Sequence, residues 1–259
     1  MSVKVHLDRV GMAFTTPGGI FRAVAPLDLQ IETGRFVSLV GPSGCGKSTL
    51  FNVIAGLLQP TEGRVLIDNQ DATGAIGLVG YMLQKDLLLP WRTVLDNVIL
   101  GMEIKGLPRR EARERALPLL QKYGLAGFEY LHPNRLSGGM RQRAALLRTL
   151  LVDTDVILLD EPFGALDAQT KTQMQEWLMQ LWTDFQKTVV FVTHDVDEAI
   201  YLSDDIHVMG TRPGRVLETI HVDLPRPRAR NTALSPAFVA IKERCLALLA
   251  GSAAAQEAA

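Results

Sequence analysis

The nine residues "GPSGCGKST", Gly41 to Thr49, constrain this chain more than any other stretch. They follow "RFVSLV", a short apolar run of the buried-strand type, and lead into "KSTLFNVIAGLL", where apolar residues recur at helical spacing. A strand that empties through a glycine-rich turn into a helix is the setting of the G-x-x-x-x-G-K-[ST] phosphate loop, and Gly41, Gly46, Lys47 and Ser48 stand at its required positions. Gly41, Gly44 and Gly46 let backbone N–H groups curl around phosphate, with Ser43, Cys45 and Thr49 completing the loop. Lys47 reaches the outer phosphates and the Ser48 hydroxyl ligates Mg²⁺. Any glycine-rich turn before a helix carries similar letters; the preceding strand is what argues for the phosphate loop. The partly positive surroundings would lower the Cys45 pKa, but the preferred reading of that residue is a small filler.

The rest of the chain alternates strands and helices. Val3, Val5 and Leu7 alternate with polar residues as in a half-buried strand, "TPGG" is a turn, and a second strand reaches Ile31. "GRVLID" and "IGLVGYML" read as further strands, the latter ending at Gln84. From Arg92 to about Leu125 the pattern is helical, interrupted at Gly106-Leu107-Pro108 and again at Pro118. "DVILLDEP" and "TVVFVTHD" are buried strands ending in polar residues, with helical "TQMQEWLMQLWTDF" between them. This order predicts an α/β fold with a parallel sheet, functional residues at strand C-termini, and an inserted helical subdomain over about 90–155. "DLPRPRAR" precedes a short helix around Phe238 to Leu249, and the alanine-rich end reads as a disordered tail. The main domain is thus expected over 1–225, with the helix and tail over 226–259.

A phosphate loop that binds Mg²⁺ needs an acidic partner, and "VILLDEP" supplies Asp160 at a strand end. Asp160 would hold the ion through its water shell, because Mg²⁺ dehydrates reluctantly. Glu161 projects differently and is the candidate to polarise an attacking water. His194 of "VTHD" would hydrogen-bond the outermost phosphate and hold Glu161 and the water in line, and Gln84 would sense Mg²⁺ and water through its amide. A strand that simply ends in solvated polar groups looks the same locally; the coupling of these positions to the loop favours chemistry.

Bulk properties narrow the classes. The chain has 259 residues, 47% hydrophobic, with formal net charge −1, which gives no electrostatic case for nucleic acid or an anionic bilayer. Two cysteines, Cys45 and Cys245, make a disulfide framework unlike this chain and suit a reducing compartment. The start lacks a signal-peptide core, and no apolar run approaches the roughly 18 residues of a spanning helix. The expectation is a soluble, cytosolic chain; service to a membrane would need another chain to do the spanning.

One stretch stays unexplained by a single site. "RLSGGMRQRAALLRTLL" opens on Ser137-Gly138-Gly139 and runs into a helix, a second and incomplete anion site. The ordered set of Gly41–Thr49, Gln84, "LSGGMRQR", "VILLDEP", "GALD" and "VTHD" resembles the nucleotide-binding subunits of ATP-binding cassette (ABC) transporters, over about Val3 to Leu224. The resemblance implies a P-loop NTPase core with an N-terminal antiparallel β subdomain, ATP and Mg²⁺ as ligands, and ATP hydrolysis. It also implies that two copies pair head to tail, so that Ser137, Gly138 and Gly139 of one copy close over ATP held by the other. By the same resemblance Phe14 stacks on adenine, with Phe21 as the weaker candidate and a core role for Phe14 as the alternative. Asp167 of "GALD" falls in the loop that crosses the dimer interface. Arg141 to Arg143 form either a solvated basic face or part of that interface.

"LLPWRTVLDNV" and the late "DLPRPR" resemble ATPase subunits of bacterial importers for nitrate, sulfonates and taurine. That branch implies a transmembrane permease partner, a periplasmic or lipoprotein substrate-binding protein upstream of it, and a place on the cytoplasmic face of the inner membrane. Leu87 to Trp91 would then meet the permease, or else merely pack the helical subdomain. Two other classes fit the residues less well. A non-transport ABC ATPase of DNA repair or translation usually brings long coiled coils, two cassettes or basic surfaces, and an unrelated kinase or GTPase leaves "LSGGM" without a task.

Overall fold

The computed structural model describes residues 2–211 and 213–257, which divide into two compact units. The first comprises 1–78 and 187–259, the second 79–186.

In the first unit, β1 (Val3–Thr16) and β2 (Gly19–Glu32) form a hairpin across the "TPGG" turn, and β1 also pairs antiparallel with β4 (Glu62–Ile67), which pairs with the short β5 (Gln70–Asp71). This is the expected N-terminal antiparallel sheet, in the order β2-β1-β4-β5. The second layer centres on β3 (Phe36–Val40), which is parallel to both β8 (Thr188–Thr193) and β9 (Asp205–Gly210). Every residue of β3 and β8 is buried, as strands covered on both faces require. The one hydroxyl in the middle of β3, Ser38, is bonded to Ser203. β10 (Arg215–His221) returns antiparallel on β9, a hairpin whose charged letters conceal it in the sequence.

Helix α1 (Lys47–Ile54) leaves the glycine loop, and α7 (Val196–Leu202) follows β8. The last helix, α8, spans Pro236–Glu257 rather than ending near Leu249. The expected disordered tail is therefore helical as far as Glu257, because alanine has the best helix propensity and Gly251 alone costs only about 1 kcal/mol. Ala258 and Ala259 lie outside the described residues. Phe238, Ile241, Cys245, Leu248 and Leu249 seat α8 on Val40, Ile206, Val208, Ala199 and Ile220. Burying a side chain like Phe238 contributes about 1.5–3 kcal/mol.

The second unit carries the parallel pair β6 (Val79–Met82) and β7 (Val156–Asp160), with helices α2 (Val94–Val98), α3 (Leu100–Ile104), α4 (Arg109–Lys122), α5 (Gly138–Leu150) and α6 (Ala168–Phe185). Two expectations fail here. Strand β6 ends at Met82, so Gln84 lies in a bend beyond it, and Ile76 is 71% exposed. The ladder explains the limit, since β6 is extended only where Val79 to Met82 face Val156 to Leu159. Pro118 sits inside α4 without breaking it. The carbonyl that loses its partner belongs to Glu114, an exposed residue, while Ala112, Ala116 and Leu120 stay fully buried. The expected interruption at Gly106-Leu107-Pro108 does separate α3 from α4.

His207 of β9 yields a pH prediction. Its Nδ1 lies 2.8 Å from the Thr219 hydroxyl of β10, and its Nε2 has no hydrogen-bond partner among the described residues. Burial pushes the imidazole pKa down to about 4, opposed weakly by Asp205. The unfolded chain therefore binds the proton first, and stability is lost as pH falls from about 6.5 toward 4, by up to about 3 kcal/mol. Urea midpoints measured between pH 7.5 and 4.5 should show this slope, and His207→Gln should flatten it.

Candidate nucleotide-binding site

Within the first unit the glycine loop is built by close approach. Gly46 has φ +91°, and a Cβ there would lie 2.8 Å from Val24 Cγ2, so only glycine fits where β2 crosses the loop. A Cβ on Gly41 would lie 2.7 Å from the Met209 carbonyl oxygen and 2.8 Å from Cys45 Sγ. Cys45 is fully buried, which agrees with its reading as a filler. Ser43, Gly44 and Ser48 are exposed at the loop rim and Thr49 is half-buried. Lys47 is 6% exposed, and its ammonium donates to the carbonyls of Gly41 at 2.7 Å and Pro42 at 3.0 Å. A cation is thus tucked against the inner wall of a loop whose rim is open.

Phe14 and Phe21 face each other across β1 and β2. Phe14 lines an open groove of about 350 Å³ with Ile20, Arg22, Thr61 and Glu62, whereas Phe21 does not line it. Phe14 is half-buried beside this groove, and Phe21 is 47% exposed.

His194 is the exposed residue directly after β8. The turn around it is tied by the Thr193 hydroxyl, which accepts from the Asp195 N–H at 3.0 Å and donates to the buried Glu198 carboxylate at 2.5 Å. Asp195 caps α7 by accepting from the Asp197 and Glu198 N–H groups.

In the second unit β7 delivers Asp160, 6% exposed, with the Tyr81 hydroxyl 3.5 Å from its carboxylate. Burial, and then the Asp160 charge, push the Tyr81 phenol well above its ordinary range, so it stays a neutral donor. Glu161 follows at φ +44°, a left-handed backbone that a non-glycine residue holds only at a cost. Its carboxylate accepts from the Gln84 amide at 3.3 Å. Gln84 and Glu161 are therefore brought together, although they are 77 residues apart.

Ser137 caps α5, its hydroxyl accepting from the Met140 N–H at 3.3 Å, and Ser137 and Gly138 are exposed with Gly139 half-buried. Asp167 caps α6. Hydrogen bonds first from Thr170 and then from the Gln169 backbone hold its carboxyl below the usual range. The basic run does not form a solvated face. Arg141 bonds Asp86, Gln142 donates to the Pro162 carbonyl, and Arg143 lies over the Trp177 ring at 5.4 Å.

Sequence reasoning missed Tyr81 and Asn97. Tyr81 is one letter in a short strand, and only pairing with β7 shows it reaching Asp160. Asn97 is fully buried and knots the "LLPWRT" phrase, its amide donating to the carbonyls of Leu89, Arg92 and Thr93.

Residues 24–164 match the ABC transporter family. An uncharacterised ABC transporter ATP-binding protein of Methanocaldococcus jannaschii is 46% identical over 90% of this chain and 87% of its own length. The chain belongs to the ABC transporter family. A taurine import ATP-binding protein of Yersinia pestis is 42% identical over 86% of this chain and 90% of its own. Among solved structures, a bacterial ABC transporter cassette solved as a dimer superposes with a TM-score of 0.74 at 35% identity, covering 85% of this chain and all of that one. The same cassette has also been solved after hydrolysis, bound to ADP and phosphate. This ABC protein is accordingly an ATP-binding ATPase subunit with the ABC cassette fold. No helix of the described residues is long and apolar enough to cross a membrane.

Proposed function

We propose that this ABC ATPase is the motor of a bacterial importer, working as a head-to-tail homodimer beneath a separate permease for a small solute of the sulfonate, taurine or nitrate type. In the first unit, the loop Gly41–Thr49 takes the phosphates of ATP, Lys47 exchanging its loop carbonyls for phosphate oxygens. Phe14 stacks on adenine, and His194 bonds the outermost phosphate. In the second unit, Glu161 polarises the attacking water and Gln84 orients it. Ser137, Gly138, Gly139 and Asp167 act on the nucleotide of the partner copy. The hydroxyl of Ser48, the amide oxygen of Gln84 and the carboxylate of Asp160 are hard oxygen donors that fit Mg²⁺. The ion, when bound, would neutralise phosphate charge.

The observation that carries a permease partner is the surface after Gln84. Leu88 is buried, but Leu87 is 51% and Trp91 73% exposed, so the two readings of this stretch divide between neighbouring residues. An exposed leucine and an exposed tryptophan, three and seven residues along the chain from a group bonded to Glu161, suit a docking site coupled to hydrolysis. The taurine import relative supports import and the solute class. In this reading the chain works at the cytoplasmic face of the inner membrane, with a periplasmic or lipoprotein receptor feeding the permease.

The test is recovery of tagged Glu161→Gln from native membranes in Mg-ATP. The expected co-purifying species is a polytopic permease, and Trp91→Ala should reduce its recovery. Ribosomes or nucleic acid in its place would overturn the transport reading while leaving the ATPase standing.

A further inference from the structure

Helix α5, capped by Ser137, carries two arginines on one face, Arg141 and Arg148, seven residues apart. Both reach the segment just after Gln84. Arg148 donates from one guanidinium nitrogen to the Asp86 carbonyl at 2.6 Å and from the other to the Leu87 carbonyl at 2.7 Å. Arg141 donates to the Asp86 carboxylate at 3.2 Å and to the Leu136 carbonyl at 2.8 Å. The other Asp86 oxygen accepts from the Leu88 N–H at 3.1 Å. Leu87 itself sits at φ +44°, a backbone state that persists only where its surroundings impose it. Three groups thus impose the path of residues 86–88, and two of them come from one rigid helix.

We propose that Arg148, assisted by Arg141, is a positioning residue for hydrolysis: it clamps the 86–88 backbone so that the Gln84 amide stays on Glu161. The inference rests on the roles given above to Gln84 and Glu161. The Gln84–Glu161 bond is already long at 3.3 Å, so a shift of a few tenths of an ångström in its anchor breaks it. A guanidinium presents its two nitrogens to the two carbonyls at a fixed spacing, whereas a lysine at the same place offers one point donor on a flexible stem.

The experiment compares Arg148→Lys, Gln84→Ala and the double variant in kcat, nucleotide Kd and thermal midpoint. Arg148→Lys should lower kcat by about tenfold to a hundredfold, the scale of a small misplacement of a catalytic group, with Kd changed less than about twofold. Because Arg148 acts through Gln84, the double variant should be no slower than the slower single. Asp86→Asn, which keeps both carbonyls and loses the Arg141 ion pair, should show a smaller loss with the same non-additivity. A lowered thermal midpoint with unchanged kcat, or losses that multiply in the double variant, would overturn the clamp. If Gln84→Ala is slow while Arg148→Lys runs at the normal rate, the clamp alone fails. If Gln84→Ala turns over normally, the role of Gln84 fails and the clamp with it.

Discussion

Glu161→Gln is expected to bind ATP as the unaltered chain does and to hydrolyse it about 10²–10⁴-fold more slowly, the range of a positioned general base. The substitution keeps the size of the side chain and an oxygen to accept from the Gln84 amide, which bonds Glu161 at 3.3 Å. It removes only the capacity to take a proton from water. Two readouts separate a catalytic loss from a binding loss: steady-state phosphate release, and titration with a fluorescent nucleotide. With hydrolysis stalled, the ATP-bound head-to-tail dimer should accumulate and appear by light scattering at saturating Mg-ATP. Turnover within about threefold of normal would remove Glu161 from the base role, since the smallest expected effect is about a hundredfold. A persistent monomer with ATP bound would sink the two-copy site, because Ser137 would then have no phosphate to meet.

Lys47→Ala is expected to act earlier, on binding itself. The ammonium is 6% exposed and held by two loop carbonyls, so its removal takes a cation from the phosphate site and leaves the Gly41 and Pro42 oxygens without that donor. A charge-assisted hydrogen bond contributes about 1.5–3 kcal/mol, which predicts a fall in ATP affinity of roughly ten- to a hundredfold. Turnover should be undetectable, since the same cation is needed where charge builds up on the transferred group. Calorimetric titration with ATP, beside a thermal melt without nucleotide, tells loss of the ligand contact from loss of the loop. An unchanged ATPase rate would refute the phosphate-loop assignment outright.

These two residues were legible because the information that places them is local. Lys47 belongs to a nine-letter loop between a buried strand and a helix, and Glu161 comes directly after Asp160, which ends a strand of four apolar residues. β3, β7 and β8 were readable for the same reason, parallel strands buried on both faces being continuous apolar runs. Ser137 was readable as a helix start and the structure makes it a cap, whereas Asp167, read only through the resemblance as a loop residue, is a cap as well. The family resemblance was carried by the order of these motifs, and the comparisons agree with it.

Other features depended on partners far along the chain. "IGLVGYML" has the letters of a long strand, yet β6 keeps only the four residues that β7 faces. Pro118 has the letters of a break, yet α4 passes through it, with the freed carbonyl on exposed Glu114 and three neighbouring side chains buried. The β9–β10 hairpin hides its pairing behind charged and polar letters, and the alanine-rich end is helical although no apolar period marks it.

The sequence by itself determined the glycine loop between a buried strand and a helix, the acidic strand end, the helix start at Ser137 and the α/β class, all written in short windows of period and spacing. Only the tertiary structure decided that Leu88 is covered while Leu87 and Trp91 are exposed, that Tyr81 reaches Asp160, and that Arg141 and Arg148 grip the backbone beyond Gln84. The physical reason is the range of the interactions. Backbone periodicity and capping act within a few residues, whereas burial and side-chain hydrogen bonds depend on which distant segments the fold brings into contact.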